Sequence, residues 1–249
     1  VRFRQSYRWS IAGLALVAAL AAVEWSRGHA TPKPASPSGP MVLDADTGTP
    51  DFPEIDEARR EAWFDGSRLT GWRHLGGGRV ALEGGLLVLT HDAQRRPGYL
   101  IYEAATARDG TVRMQCRVPD GDSGLFFRSR IHPRHATEIE GPQVQLNTLP
   151  GRGLGGVFVH HGPGWLRRPW REPSGPPARW LNVSLKLHVG RVAVVVDGLP
   201  TVDYVAKDTD NLLNDAASFA LQIHGGGTLR AEFARIEFVP WKSTTPTHP

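Results

Sequence analysis

Between Trp63 and Trp241 apolar and polar residues alternate in short runs broken by turn signals, the two-residue repeat of strands rather than the 3.6-residue repeat of helices. Leu181, Val183, Leu185, Leu187 and Val189 interleave with Asn182, Ser184, Lys186 and His188, which predicts a strand with one wet face. Val192 to Val196 is apolar throughout, and Asp197-Gly198 marks a hairpin turn before Thr201 to Val205. Leu229, Ala231 and Phe233 share a phase that Ile236 and Phe238 break by one residue. A β-bulge around Ala234 would return both sets to the core. About a dozen such strands, with one weak helical stretch at Glu54 to Ala62, predict an all-β fold, a two-sheet antiparallel jelly-roll sandwich of concanavalin type. The folded part is expected over 61–241, beginning near Trp63, with a disordered tail at 242–249. The segment Pro163 to Ala178 reads as a long structureless loop, and such loops inside compact domains are commonly functional.

Three segments combine strand residues with fixed polar ones: Asp122 to Arg128, Gly141 to Leu146, and Leu221 to Gly225. Alternation puts Gln143 with Gln145 on one face, and Gln222 with His224 on one face, while Val144, Leu146, Leu221 and Ile223 turn the other way. Three strands that bury one side and present amide, imidazole or guanidinium on the other would form a hydrogen-bonding surface suited to a carbohydrate.

Outside that region the chain changes character. Arg2, Arg4 and Arg8 precede an apolar run from Ile11 to Val23 and a Gly28-His29-Ala30 end, which reads as an export signal cleaved after Ala30. The expected location is therefore periplasmic or extracellular. Left uncleaved, residues 9–25 would serve as a membrane tether, although the run is shorter than the ~20 residues of a spanning helix. Residues 31–60, rich in Pro and Ser at their start, read as a linker. Residues 1 to 30 hold four Arg and one Glu, so only +1 of the formal +4 belongs to the rest. With no clustered basic face, nucleic acid is excluded as a partner. The single Cys116 alternates with Val112, Met114 and Val118 on an apolar face, which marks a buried structural thiol.

Taken together, the segments resemble the 3-keto-disaccharide hydrolase domain family, formerly a domain of unknown function. Trp63-Phe64-Asp65-Gly66 with Leu69, Gly71 and Trp72 is similar to its opening pattern, and Glu83-Gly84-Gly85-Leu86 to its next turn. Asp122 to Arg128 resembles its Asn-Ser-Gly-Ile-Phe-x-Arg strand, with Asp for the usual Asn. Gly155 to Phe158, Trp180, Asp197-Gly198, Leu221 to Gly225 and Phe233 to Ile236 follow in the family's order. Where the family reads Gly-x-Glu-x-Gln, this chain has Gly141-Pro142-Gln143-Val144-Gln145. An ionisable carboxylate is replaced there by an amide that keeps hydrogen bonding but takes no proton at neutral pH.

The resemblance implies hydrolysis of 3-keto-glycosides. A ketone at C3 acidifies the C2 hydrogen, a base removes it, the glycosidic oxygen leaves C1, and water adds back. His224 or His160 is the candidate base, since imidazole titrates near neutrality. Arg128 is the candidate donor to the developing oxyanion. Gln143, Gln145 and Gln222 would bind hydroxyls, and Trp165 or Trp170 would stack on a sugar ring. Plain structural roles stand beside these: Arg128 in an ion pair, Gln222 and His224 satisfying backbone groups beside Gly225-Gly226-Gly227, His160-His161 as a solvated strand end. Divalent metal assistance would suit an enolate, but His132-Pro133-Arg134-His135 lacks a third ligand, so no metal site is assigned. The second reading is a non-catalytic carbohydrate-binding or envelope interaction module of the same fold. Gln143 favours it.

Overall fold

A computed structural model describes residues 52–104, 109–207 and 218–243, so the predicted export segment and most of the linker and tail lie outside the described residues. Among the described residues no helix is long and apolar enough to cross a membrane. Among the described residues fifteen strands form two antiparallel sheets. One contains β1 (Glu61–Phe64), β3 (Arg79–Glu83), β4 (Leu86–Thr90), β6 (Gly110–Asp120), β11 (Leu181–His188), β12 (Arg191–Val196), β13 (Leu199–Val205) and β15 (Arg230–Pro240). Its order is β13-β12-β11-β6-β15-β4-β3, with β1 also on β15. The second contains β2 (Trp72–Gly76), β5 (Gly98–Tyr102), β7 (Gly124–His132), β8 (His135–Gln145), β9 (Val157–His160), β10 (Gly164–Arg167) and β14 (Ser218–Ile223). Its order is β10-β9-β8-β7-β14-β5-β2.

The core is the space between the sheets, filled by alternate residues of each. Val112, Met114, Cys116 and Val118 of β6 face Leu125, Phe127, Val144, Leu146, Leu221 and Ile223 of the second sheet in one apolar cluster. Burial pushes the Cys116 thiol pKa well up, so it stays protonated and inert. On β15 the pairing steps from Phe233 with Cys116 to Arg235 with Gln115, which leaves Ala234 as the extra residue. That bulge keeps Ala231 and Phe233 before it, and Ile236 and Phe238 after it, in the core. Asp197 and Gly198, both at positive φ, close the β12–β13 hairpin.

Four expectations fail here, each because tertiary pairing overrides a local signal. The helix at Glu54 to Ala62 shrinks to a single 3-10 turn, Glu57–Arg59. Backbone on both sides is recruited elsewhere: Ile55 bridges Trp241, the Asp56 N–H donates to Pro240 O at 2.8 Å, and the Lys242 N–H to Glu54 O at 2.7 Å. The folded domain thus starts by Phe52, inside the expected linker, and extends through Lys242. The same strap covers the face of β11 that alternation made wet. Lys186 is only 7 % exposed, and Phe52, Pro53, Ile55 and Trp241 line a small cavity with Ser184 and Lys186. Lastly, the loop from Pro163 contains β10, whose Trp165 pairs with Phe158 of β9.

Behind the core, the outer face of β6 is also closed over. Arg117 Nε donates to Glu232 Oε2 at 2.6 Å, both side chains are almost fully buried, and the guanidinium lies 4.8 Å from the Trp180 ring centroid. Removing one partner of such a pair leaves an uncompensated charge. Glu232→Ala is expected to lower the unfolding free energy by about 3–5 kcal/mol. Urea titration followed by tryptophan fluorescence measures this; a loss below about 1 kcal/mol, the usual scale for exposed pairs, would contradict it.

Candidate functional site

The second sheet turns its other face outward, and the register decides what that face carries. Gly124 pairs with Gln145 and Phe126 with Gln143 on β8, while Gln143 pairs with Phe158 and Gly141 with His160 on β9. On the far side Ala220 pairs with Phe126, and Gln222 follows two residues later on the same face. Tyr99, Ile101, Phe126, Ile139 and Ala220 make a small apolar cluster there. Beside it lies an open hollow of about 440 Å³ lined by Asp122, Gln143, Gln145, Gly151, Arg152, Phe158, His160, Trp165, Arg168, Gln222 and His224. From β8 to β14 is two strand spacings, about 10 Å, which is room for sugar rings laid across the strands.

A chain of amides organises the floor. Gln143 Nε2 donates to Gln145 Oε1 at 3.2 Å, and Gln145 Nε2 lies 2.8 Å from both carboxylate oxygens of Asp122. Gly124 makes this geometry available: a Cβ at that position would stand 2.8 Å from Gln143 Oε1. Ser123, fully buried, donates from Oγ to Gln222 O at 2.8 Å and so fixes Asp122 beside the end of β14. Gln143 and Gln222 are each 4 % exposed, and their Oε1 atoms accept no hydrogen bond among the described residues. Buried acceptors left open in a hollow are suited to hydroxyl donors from a ligand.

The titratable groups complement that floor. Burial raises the Asp122 pKa above the ordinary carboxylate value, against the opposing pull of His224 and of hydrogen bonds from Gln145, Asn147 and the Ser123 backbone. His160 is shifted down, chiefly by burial, then by His161, with Glu138 opposing and His224 adding to the fall. It is therefore a neutral imidazole at pH 7, able to donate one N–H. A carboxylate and two imidazoles within charge range of one another provide acid and base groups at a single place.

Of the expected site residues, the hollow brings together Gln143, Gln145, Gln222, His224, His160 and Trp165. It does not include Arg128 or Trp170. Pairing between β7 and β8 slips between Phe126 and Arg130, and Arg128 sits in this irregular stretch at φ 45°. Its guanidinium reaches Asp109 Oδ1 and Val189 O, each at 2.7 Å, so the plain ion-pair alternative describes it. Trp170 is 56 % exposed, with Arg167 over its ring. Trp165 instead packs edge-on against Phe158 and under Arg168, over Gly153 and Gly156, where any Cβ would strike its ring.

The sequence reading passed over Asp122, Phe158, Arg152 and Arg168. Phe158 was recoverable from alternation with His160; the others lie in or beside loops, where no period points. His161 pairs with Glu138, its Nε2 2.5 Å from Oε2, and its ring lies near His132 and His135. Among the described residues, however, no group of three or more His, Cys, Asp or Glu side chains is arranged to hold a metal ion.

This sandwich, with an amide-floored hollow on one outer face, is of the galectin-like jelly-roll class. A family profile described as the 3-keto-alpha-glucoside-1,2-lyase-like domain matches residues 60–238, and the chain belongs to that family. No curated protein matches it. Among solved structures, a candidate glycosyl hydrolase from Parabacteroides distasonis ATCC 8503 is similar with a TM-score of 0.55 at 14% identity, over 74% of this chain and 94% of that one. A Bacillus subtilis protein of unknown function with a galectin-like fold has a TM-score of 0.53 at 15% identity, over 76% and 96%. The exoplasmic/lumenal domain of VIP36 in its Ca2+/mannose-bound form has 0.54 at 14%, over 78% and 94%. At these identities the likeness is one of fold.

Because burial holds the Asp122 pKa above its unfolded value, ionising it opposes folding. The carboxyl favours the folded state most below the unfolded pKa, and that advantage is lost as pH rises through the folded one. Asp122→Asn is expected to melt above the parent protein at pH 7, with the gap closing as pH falls below about 4. Thermal melts at both pH values measure it, and a gap that does not change with pH would count against a buried, strained carboxylate.

Proposed function

We propose that the domain cleaves 3-keto-glycosides by elimination and hydration, using the hollow as its active site. The observation that carries this reading is the convergence of Asp122, His224 and His160 on a floor whose buried Gln143 and Gln222 acceptors await hydroxyl donors. Membership of a lyase-like family supports the reaction type. In the proposed step His224, backed by the Asp122 charge, removes the C2 proton, and the electron pair moves toward the C3 carbonyl to give an enolate. The neutral His160 N–H donates to the enolate oxygen, a role a depressed imidazole pKa suits. The enolate then re-forms the C3 ketone, a C1–C2 double bond appears, and the C1 oxygen bond breaks. The departing oxygen takes the proton held on His224. Water finally adds hydroxyl to C1 and hydrogen to C2, so the net change is hydrolysis.

The family resemblance places Glu where this chain has Gln143 and Asn where it has Asp122. Those two positions are linked through Gln145 by hydrogen bonds. The carboxylate is thus kept within the same hydrogen-bonded chain but moved toward His224, which answers the objection that Gln143 leaves the site without one. Should no turnover exist, the same floor would serve a binding module.

His224→Ala is expected to reduce release of aglycone from a 3-keto-glucoside by about 10²–10⁴-fold, the usual contribution of a general base, with the fold intact by circular dichroism. Full activity in that variant discards the assignment. Saturable sugar binding by the parent protein without any release would favour the binding module. Asp122→Asn should lose activity to a similar degree, and Asp122→Asn combined with Gln143→Glu should regain at least a tenth of it. If the double variant stays as inactive as the single one, the carboxylate has not simply moved along the chain.

A further inference from the structure

Several arginines of this sandwich are neutralised in place: Arg113 by Glu57, Arg117 by Glu232, Arg128 by Asp109, Arg191 by Asp203 and Arg230 by Glu83. Four that are not fall within two short segments at the β10 side of the hollow. Arg152 and Arg168 line it, with Arg167 and Arg171 close in sequence to the latter, and none of the four forms an ion pair among the described residues. Arg168 lies over Trp165, 4.5 Å from the ring centroid, which orients the guanidinium without neutralising it. The neighbouring acid, Glu172, forms no ion pair with them among the described residues and offsets their charge only in part. Glu172 spends its two oxygens on the backbone N–H groups of Gly151 and Gly153, at 2.8 and 2.7 Å. Asp122, the acid among the lining residues, is held by Gln145 beside β14.

The hollow therefore carries charge of opposite kinds at its two ends. Asp122 and His224 lie toward β7 and β14, Arg152 and Arg168 beside β9 and β10, and His160 of β9 lies between the two groups. We infer that the site takes an anionic saccharide, one whose unit next to the reacting ring bears a carboxylate or sulfate bound by Arg152 and Arg168. This rests on the hollow being a saccharide site. A guanidinium pair matches a planar or tetrahedral oxyanion through paired N–H donors, and at a partly open rim it adds both affinity and steering.

Calorimetric titration of the full chain with three unoxidised ligands tests it: a neutral glucosyl-glucose disaccharide, its glucosyl-glucuronate counterpart, and its 6-sulfated counterpart. At least one anionic ligand is expected to bind about 10–100-fold more tightly than the neutral one, the value of one or two charge-assisted hydrogen bonds. The advantage should shrink in 0.5 M salt, at a Debye length of only a few Å. Arg152→Gln with Arg168→Gln should lower affinity for the anionic ligands far more than for the neutral one, and Arg168→Lys should retain part of the preference. A neutral ligand that binds as tightly as both anionic ones overturns the inference and leaves the saccharide site standing. So does a preference that survives the double variant. Binding of none of the three removes the saccharide reading and this inference together.

Discussion

Everything at the candidate site depends on the core holding the register of β7, β8 and β14. Leu125, Val144 and Leu221 are each almost wholly buried between the sheets, and a strand cannot slip by one residue without turning such side chains out to solvent. Their burial therefore dictates that Gly124, Gln143, Gln145 and Gln222 face outward together. The cost of misplacing even one Leu, on the order of 2–3 kcal/mol of lost burial, exceeds what any single amide hydrogen bond contributes. Hydrophobic packing thus positions a polar site that could not position itself.

Within that frame small residues do the fine placement. Gly124 gives Gln143 the space to lie across β7, and Gly153 with Gly156 does the same for Trp165. Ser123 satisfies the Gln222 carbonyl and so ties the start of β7 to the end of β14. The Ser-Gly pair at 123 and 124 is thereby accounted for by contacts rather than by catalysis, and no nucleophilic serine is needed to explain it. Two of the buried polar atoms without a partner among the described residues, Gln143 Oε1 and Gln222 Oε1, belong to residues that line the hollow. There the hydroxyls of a ligand can complete them.

The sheets and the bulge at Ala234 were legible in the sequence because they follow from a period of two, and the Asp197-Gly198 hairpin because its dipeptide favours positive φ; the same period put Gln143 with Gln145, and Gln222 with His224, on shared faces. The misses share the opposite cause. Arg128 was placed by extending alternation through a strand that is irregular at that residue, and its positive φ, uncommon for a non-glycine side chain, leaves no mark in composition. Asp122 precedes β7 and owes its raised pKa to burial, which the hydrogen bonds from Gln145, Asn147 and the Ser123 backbone only partly oppose, and burial of that kind is set by tertiary packing. The strap at Phe52 to Asp56 was read as linker since its partners, Pro240 to Lys242, lie almost the whole domain away in sequence. Long-range pairing of this kind overrides weak helical periodicity.

The acid and base inventory also separates the proposed chemistry from that of ordinary glycosidases. Those enzymes flank the scissile bond with two carboxylic groups, one to protonate and one to attack or to activate water. Among the residues lining this hollow, Asp122 is the carboxylic acid, and its neighbours are imidazoles and amides. In the elimination route the substrate's own ketone stabilises the charge that a second carboxylate would otherwise have to manage. The protein then needs a moderate base, a neutral donor for the enolate oxygen and a floor that holds hydroxyls, and each of these has a residue of suitable type in place. Burial disfavours charge on His160 and so keeps it a neutral donor, while at Asp122 the pull of His224 and the hydrogen bonds from Gln145, Asn147 and the Ser123 backbone oppose the same burial and favour the carboxylate that backs the base.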